Sequence, residues 1–115
     1  MEKFMLIIRE DLKKLHAMTY EQRMVNTRLM QKWVEGLAET GNYVMGEPLL
    51  AIGRYVSQEK VTSDGPFIES KEGISGMTIF NAENLEQAVA FAQSCPLVLN
   101  GEAVVEVRPI MAMPE

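Results

Sequence analysis

The hydrophobic pattern along the chain alternates between two periods. Phe4-Met5-Leu6-Ile7-Ile8 reads as a strand, with Phe4, Leu6 and Ile8 on one face and Met5, Ile7 and Arg9 on the other. Both faces are apolar until Arg9, so this strand needs cover on both sides. Glu10 to Met18 reads as a polar connection. Thr19 then has the character of an N-cap, and Gln22, three residues on, completes a capping box. A helix is predicted from Tyr20 to Glu39. Its apolar stripe is Leu29, Met30, Trp33, Val34 and Leu37, and Gly41 stops it. Extended segments follow at Tyr43–Leu50, Arg54–Thr62 and Ile74–Phe80, separated by glycine and proline. The pattern leaves open which of the first two belongs to the main sheet. A second helix is predicted after Asn81 or Asn84, with Leu85, Ala88, Val89 and Ala92 buried and Pro96 just past its end. Ala103–Ile110 is the last strand, with Val105 and Val107 on one face and Val104, Glu106 and Arg108 on the other.

Strand, helix, two or three strands, helix, strand is a ferredoxin-like βαββαβ α+β layout with an elaborated middle segment. Two helices cover one face of such a sheet. The other face, carrying Met5 and Ile7, would stand in water as a large patch. A second copy packing sheet on sheet with two-fold symmetry removes that exposure, so a homodimer is expected.

At 115 residues the chain is expected to form a single domain over 1–115. Its net charge of −5 argues against nucleic acid and anionic membrane surfaces as partners. No apolar run reaches the roughly 20 residues of a spanning helix. Met1-Glu2-Lys3-Phe4 lacks the layout of a secretory signal, and a single cysteine permits no internal disulfide. A cytoplasmic location is expected. One Cys and one His argue against a zinc cluster, and no phosphate loop or dinucleotide fingerprint is present. No metal or cofactor is expected. Nine methionines point to adaptable packing in a core or around a pocket.

The least ordinary run is Asp64-Gly65-Pro66-Phe67, continuing through Glu69, Lys71 and Glu72. Gly-Pro forces a sharp change of direction, and Asp64 can accept hydrogen bonds from backbone N–H groups just beyond it. Phe67 supplies an apolar anchor. With Gly76, Gly46-Glu47-Pro48-Leu49 and Glu106-Val107-Arg108-Pro109, this run resembles the DGPF branch of the YCII-related domain family. The resemblance extends from the first strand to Pro109. It implies a dimeric α/β barrel with a small-molecule pocket near the Asp64 turn. It also implies an association of this branch with extracytoplasmic-function sigma factors, which would make the protein a non-catalytic interaction module. Similar barrels include cofactor-free monooxygenases.

Asp64, Glu69 and Lys71 are the candidate catalytic residues, for cofactor-independent acid–base chemistry. The competing readings are a turn acceptor for Asp64 and a solvated charged strand end for Glu69 and Lys71. Arg9, Glu106, Arg108 and Phe67 are the candidate ligand-binding residues: arginines clamp carboxylates or phosphates, or else pair with Glu106 inside the molecule. Arg54 is a weaker member of that set. Other YCII-related proteins are thought to use a His near the start of the first helix together with an Asp. Here that helix opens Tyr20-Glu21-Gln22-Arg23, which leaves Asp64, Tyr20 and the Glu69–Lys71 group as proton handlers. His16, the sole histidine, sits in the polar connection. Cys95 reads as a packed residue at a helix C-terminus, and Trp33 as core with a pocket role as the alternative.

Overall fold

The computed structural model describes residues 1–50, 52–62 and 73–114. Four antiparallel strands form the main sheet: β1 (Glu2–Glu10), β2 (Tyr43–Pro48), β5 (Gly73–Ala82) and β6 (Ala103–Pro109), in the order β2-β5-β1-β6. That order is the ferredoxin-like one. Tyr43–Pro48 is therefore the main-sheet segment of the middle region. The next segment makes a separate hairpin, β3 (Tyr55–Val56) with β4 (Val61–Thr62), whose turn is closed by the Ser57 N–H donating to the Lys60 carbonyl at 2.8 Å.

Alternation in β1 is as expected: Phe4, Leu6 and Ile8 are buried, while Met5 and Ile7 are half-buried. Phe4 pairs with Phe80 and Leu6 with Thr78, which keeps the inner face in register across the sheet. Met5 lies opposite Ile79 and Ile7 opposite Met77, which does the same for the outer face.

Helix α2 (Tyr20–Glu39) crosses the inner face. The Thr19 hydroxyl accepts from the Gln22 N–H at 3.1 Å, and the Gln22 side chain accepts from the Thr19 N–H at 2.9 Å. Leu37 is buried, and Met30 and Trp33 pack against the core. Leu29, placed on the stripe by its spacing, is 40% exposed. Gly41 follows the helix at φ +75°, a conformation that residues with a Cβ adopt only at a cost.

Three elements differ from the pattern-based reading. Glu10–Met18 is not simply a connection, since Leu12–Ala17 forms helix α1. Asp11 caps it by accepting from the N–H groups of Lys13 (3.0 Å) and Lys14 (3.3 Å). The apolar signal, Leu12, Leu15 and Met18 at spacings of three, is diluted by the lysines between them. Helix α3 (Leu85–Gln93), capped by Asn84, buries Ala88 and Ala92. Leu85 and Val89, however, stand 47% and 40% exposed, and Phe91 takes their place against the core. Pro96 does lie past the end of α3, but it also opens a one-turn helix, α4 (Pro96–Leu99). Proline suits a first helical position, where its missing N–H costs nothing.

Cys95 is thus the N-cap position of α4 as well as a neighbour of the α3 C-terminus. The Leu97 and Val98 N–H groups pull its thiol pKa down. Burial pushes it up and prevails, with a smaller push from Glu10. Its sulfur lies 3.7 Å from Met30 Sδ. The packed reading of Cys95 holds for this reason rather than because of a helix C-terminus.

Candidate functional site

The outer face of the sheet is open and carries two kinds of residue. Met5, Ile7, Met77 and Ile79 form its half-buried apolar centre, extended by Met45, which is 42% exposed. At one side, Arg9, Glu106 and Arg108 meet. Arg9 Nη2 is 3.1 Å from Glu106 Oε1, and Arg108 Nη1 is 3.3 Å from Glu106 Oε2. Strand register explains this, because Ile7 lies opposite Glu106 and Met5 opposite Arg108 on the same face of β1 and β6. The hydrogen bond from Arg9 is the main cause of a lowered Glu106 pKa. It outweighs the opposing desolvation and is helped by Arg108.

A group whose folded pKa is depressed contributes stability above its unfolded value and loses it as pH falls through the folded one. Acidification from neutrality to about pH 3 should therefore cost the native protein more stability than it costs Glu106→Gln. Melting temperatures across that range check this, and parallel acid limbs for the two proteins would contradict it.

The inner face is not filled everywhere. Under α2, the positions that would ordinarily carry large side chains are Gly46, opposite Thr78, and Gly76, opposite Ile8. The result is a cleft of about 780 Å³. Met30 and Val34 of α2 and Met18, just past the end of α1, line it, and Ile8, Tyr43 and Thr78 belong to its sheet side. A second cleft, of about 680 Å³, adjoins it and includes Arg9, Lys14 and Asn100. The two share Glu10, Leu15, Met18 and Asn26 as a common wall. Asn26 Nδ2 donates to Glu102 Oε2 in that wall.

Of the residues singled out from sequence, Arg9, Glu106 and Arg108 are brought together. Asp64, Phe67, Glu69 and Lys71 lie outside the described residues. The chain leaves the hairpin at Thr62 and rejoins the sheet at Gly73, opposite Glu10. A Cβ on Gly73 would lie 2.6 Å from Leu12 Cδ1, so α1 is seated where that segment returns. Arg54 is not part of the ion cluster, since its Nη1 donates to the Gly53 carbonyl at 2.8 Å. Tyr20 is 75% exposed. His16 is exposed in the last turn of α1. Trp33 packs against the core, and its Nε1 donates to Ser94 Oγ at 2.9 Å.

Reading the sequence missed Gly46, Gly76 and Thr78 as site residues. The signal was two glycines on the otherwise apolar inner face of β2 and β5, and the abundance of methionine. Among the described residues, no group of three or more His, Cys, Asp or Glu side chains could hold a metal ion. No helix among them is long and apolar enough to cross a membrane.

A four-stranded antiparallel sheet in ferredoxin-like order, with one open face and a hollow under its long helix, defines the class. The chain belongs to the YCII-related domain family, whose model matches residues 3–113. Among solved structures it is similar to 5-chloro-2-hydroxyhydroquinone dehydrochlorinase from Burkholderia phenoliruptrix AC1100, described in complex with 2,5-dihydroxybenzoquinone. The TM-score is 0.62 at 16% identity, over 96% of this chain and 95% of that one, so the likeness is one of fold. No curated protein sequence matches the chain.

Proposed function

We propose that this chain forms a homodimer through its open sheet face and binds a small polar or anionic ring compound in the cleft beneath α2, with cofactor-independent acid–base chemistry. The cleft carries this reading. At about 780 Å³ it falls within the roughly 300–1,000 Å³ of small-molecule sites, and apolar surface predominates on its walls although polar and charged residues also line it. That a protein of the same fold is described in complex with a small quinone supports it further.

In this reading Asp64 exchanges a proton with the ligand, and Glu69 and Lys71 tune that charge. Phe67 offers the ligand an apolar contact. Arg9, oriented by Glu106 and lining the adjoining cleft, holds an acidic substituent. Arg108, 65% exposed at its side chain, keeps donors for a second anionic group along the β6 edge of the sheet.

Titration with 2,5-dihydroxybenzoquinone tests the assignment. Asp64→Asn should change its affinity about tenfold, a difference of about 1.4 kcal/mol. Unchanged affinity with an unchanged melting temperature would remove Asp64 from the site.

A second reading, an interaction module for a sigma factor, draws on the hairpin region. Leu50, Ile52, Val56 and Val61 are 81%, 80%, 71% and 64% exposed there, more apolar surface than a lone two-stranded ribbon ordinarily offers to water. Pull-down from a cell extract separates the two: a stoichiometric sigma factor favours the module, and a bound small molecule without a protein partner favours the cleft.

A further inference from the structure

Thr78 is 3% exposed, and its hydroxyl has no hydrogen-bond partner among the described residues. Those residues contain no side-chain nitrogen or oxygen that is both sealed from solvent and unpartnered, so the Thr78 oxygen must open into the hollow that it lines. Tyr43, on the neighbouring strand, lines the same hollow, and its hydroxyl also has no partner among the described residues. Gly46 shows how the two are related. A Cβ built there would lie 3.2 Å from Thr78 Oγ1 and 3.3 Å from Tyr43 Oη. The two oxygens therefore lie no more than about 6.5 Å apart beside Gly46, close enough for one ligand oxygen to meet both, and no side chain at position 46 stands between them.

We infer that Thr78 and Tyr43 are a ligand-reading pair in the floor of this cleft, and that they take the uncharged oxygen of a small ring alcohol or carbonyl compound. The inference rests on the small-molecule reading above and narrows its deep end. Two features select this chemistry. Each hydroxyl both donates and accepts, so the pair satisfies a phenolic or carbonyl oxygen equally well. The charges around the cleft also disfavour an anion at its floor. Among the described residues, Glu10, Glu35 and Glu47 line it against a single cation, Arg23, whose Nη2 is donating to the Leu15 carbonyl at 3.1 Å. Among the described residues, a carboxylate or phosphate at the floor would meet hydroxyls and three lining carboxylates against one guanidinium. Met18, Met30 and Val34 offer apolar surface to the body of a ring, and the two methionines adjust their shape to it.

Gly46 then acts as a size-determining position. Any larger residue would cap both hydroxyls and press on the Met77 carbonyl, 3.1 Å from the built Cβ.

The test uses phenol and benzoate as probes on the full chain, by ligand-observed NMR titration. Phenol should bind the native protein more tightly than benzoate, and its affinity should not fall with added salt. Thr78→Val and Tyr43→Phe should each weaken phenol about five- to tenfold. Gly46→Ala should abolish phenol binding and lower the melting temperature somewhat, because its Cβ crowds the Met77 carbonyl; should it fail to fold, the two hydroxyl variants carry the test. Phenol affinity indifferent to both hydroxyl variants would overturn the inference. So would benzoate binding that matches phenol and loosens with salt. If neither phenol nor 2,5-dihydroxybenzoquinone binds, the small-molecule reading falls with it. If only the quinone binds, the two hydroxyl variants are read on it instead, and an affinity indifferent to both overturns the hydroxyl pair while the small-molecule reading stands.

Discussion

Ile79→Asp is expected to give a folded monomer where the native chain is expected to dimerise, with at least about a hundredfold weaker self-association. Ile79 sits at the centre of the open face, between Met5 of β1 and Met45 of β2. In a monomer an aspartate there faces water and costs little beyond a strand preference. In the proposed pairing it is buried among apolar side chains, with its nearest cross-strand neighbours offering no counter-charge. A carboxylate desolvated without a partner costs several kcal/mol, and two-fold symmetry imposes that cost twice. Arg108 is the cation to watch, because it lies opposite Met5 on the far side of β1 and is already engaged by Glu106. Sedimentation equilibrium settles the matter. The native chain should run at twice 12.9 kDa at micromolar concentration and the variant at 12.9 kDa. Equal masses for the two, whether both monomer or both dimer, would refute the open face as an interface.

The largest loss of stability is expected from Phe80→Ala. Phe80 is fully buried at the middle of the inner face. Its ring stacks near Phe4, with centroids 6.1 Å apart, and meets Phe91 edge-on at 5.8 Å. It is thus the point where two strands and α3 share one contact. Removing a buried phenylalanine costs about 3–5 kcal/mol in transfer and cavity terms. Against a total of about 5–15 kcal/mol, that is a large share of what keeps a chain of this size folded. Chemical denaturation should show a lower midpoint at an unchanged slope. Val89→Ala, on the exposed side of α3, is the matched control and should fall within about 0.5 kcal/mol of the native protein. A loss of less than 1 kcal/mol for Phe80→Ala would mean that the core collapses around the gap.

The same contrast shows where the chain was legible. Thr19 and Gln22 announced the start of α2 because a capping box is satisfied within four residues and needs nothing from afar. The burial of Phe4, Leu6 and Ile8 was readable for a similar reason: strand alternation is a property of the backbone. Val89 was misread because two faces of a nine-residue helix both carried apolar side chains, and only the position of the sheet says which one is covered. Leu12, Leu15 and Met18 were missed because α1 buries none of its residues, so its pattern is faint.

Local chemistry, written in neighbouring residues, determined the strand-helix order, the helix start at Thr19, the family and the two-sided apolar character of β1. Tertiary structure alone decided that Arg9, Glu106 and Arg108 touch, since 97 residues separate Arg9 from Glu106. It also decided that two glycines and a threonine, unremarkable in their own strands, leave a hollow under α2. A cavity is a property of what several elements fail to fill together, and no single stretch of chain records it.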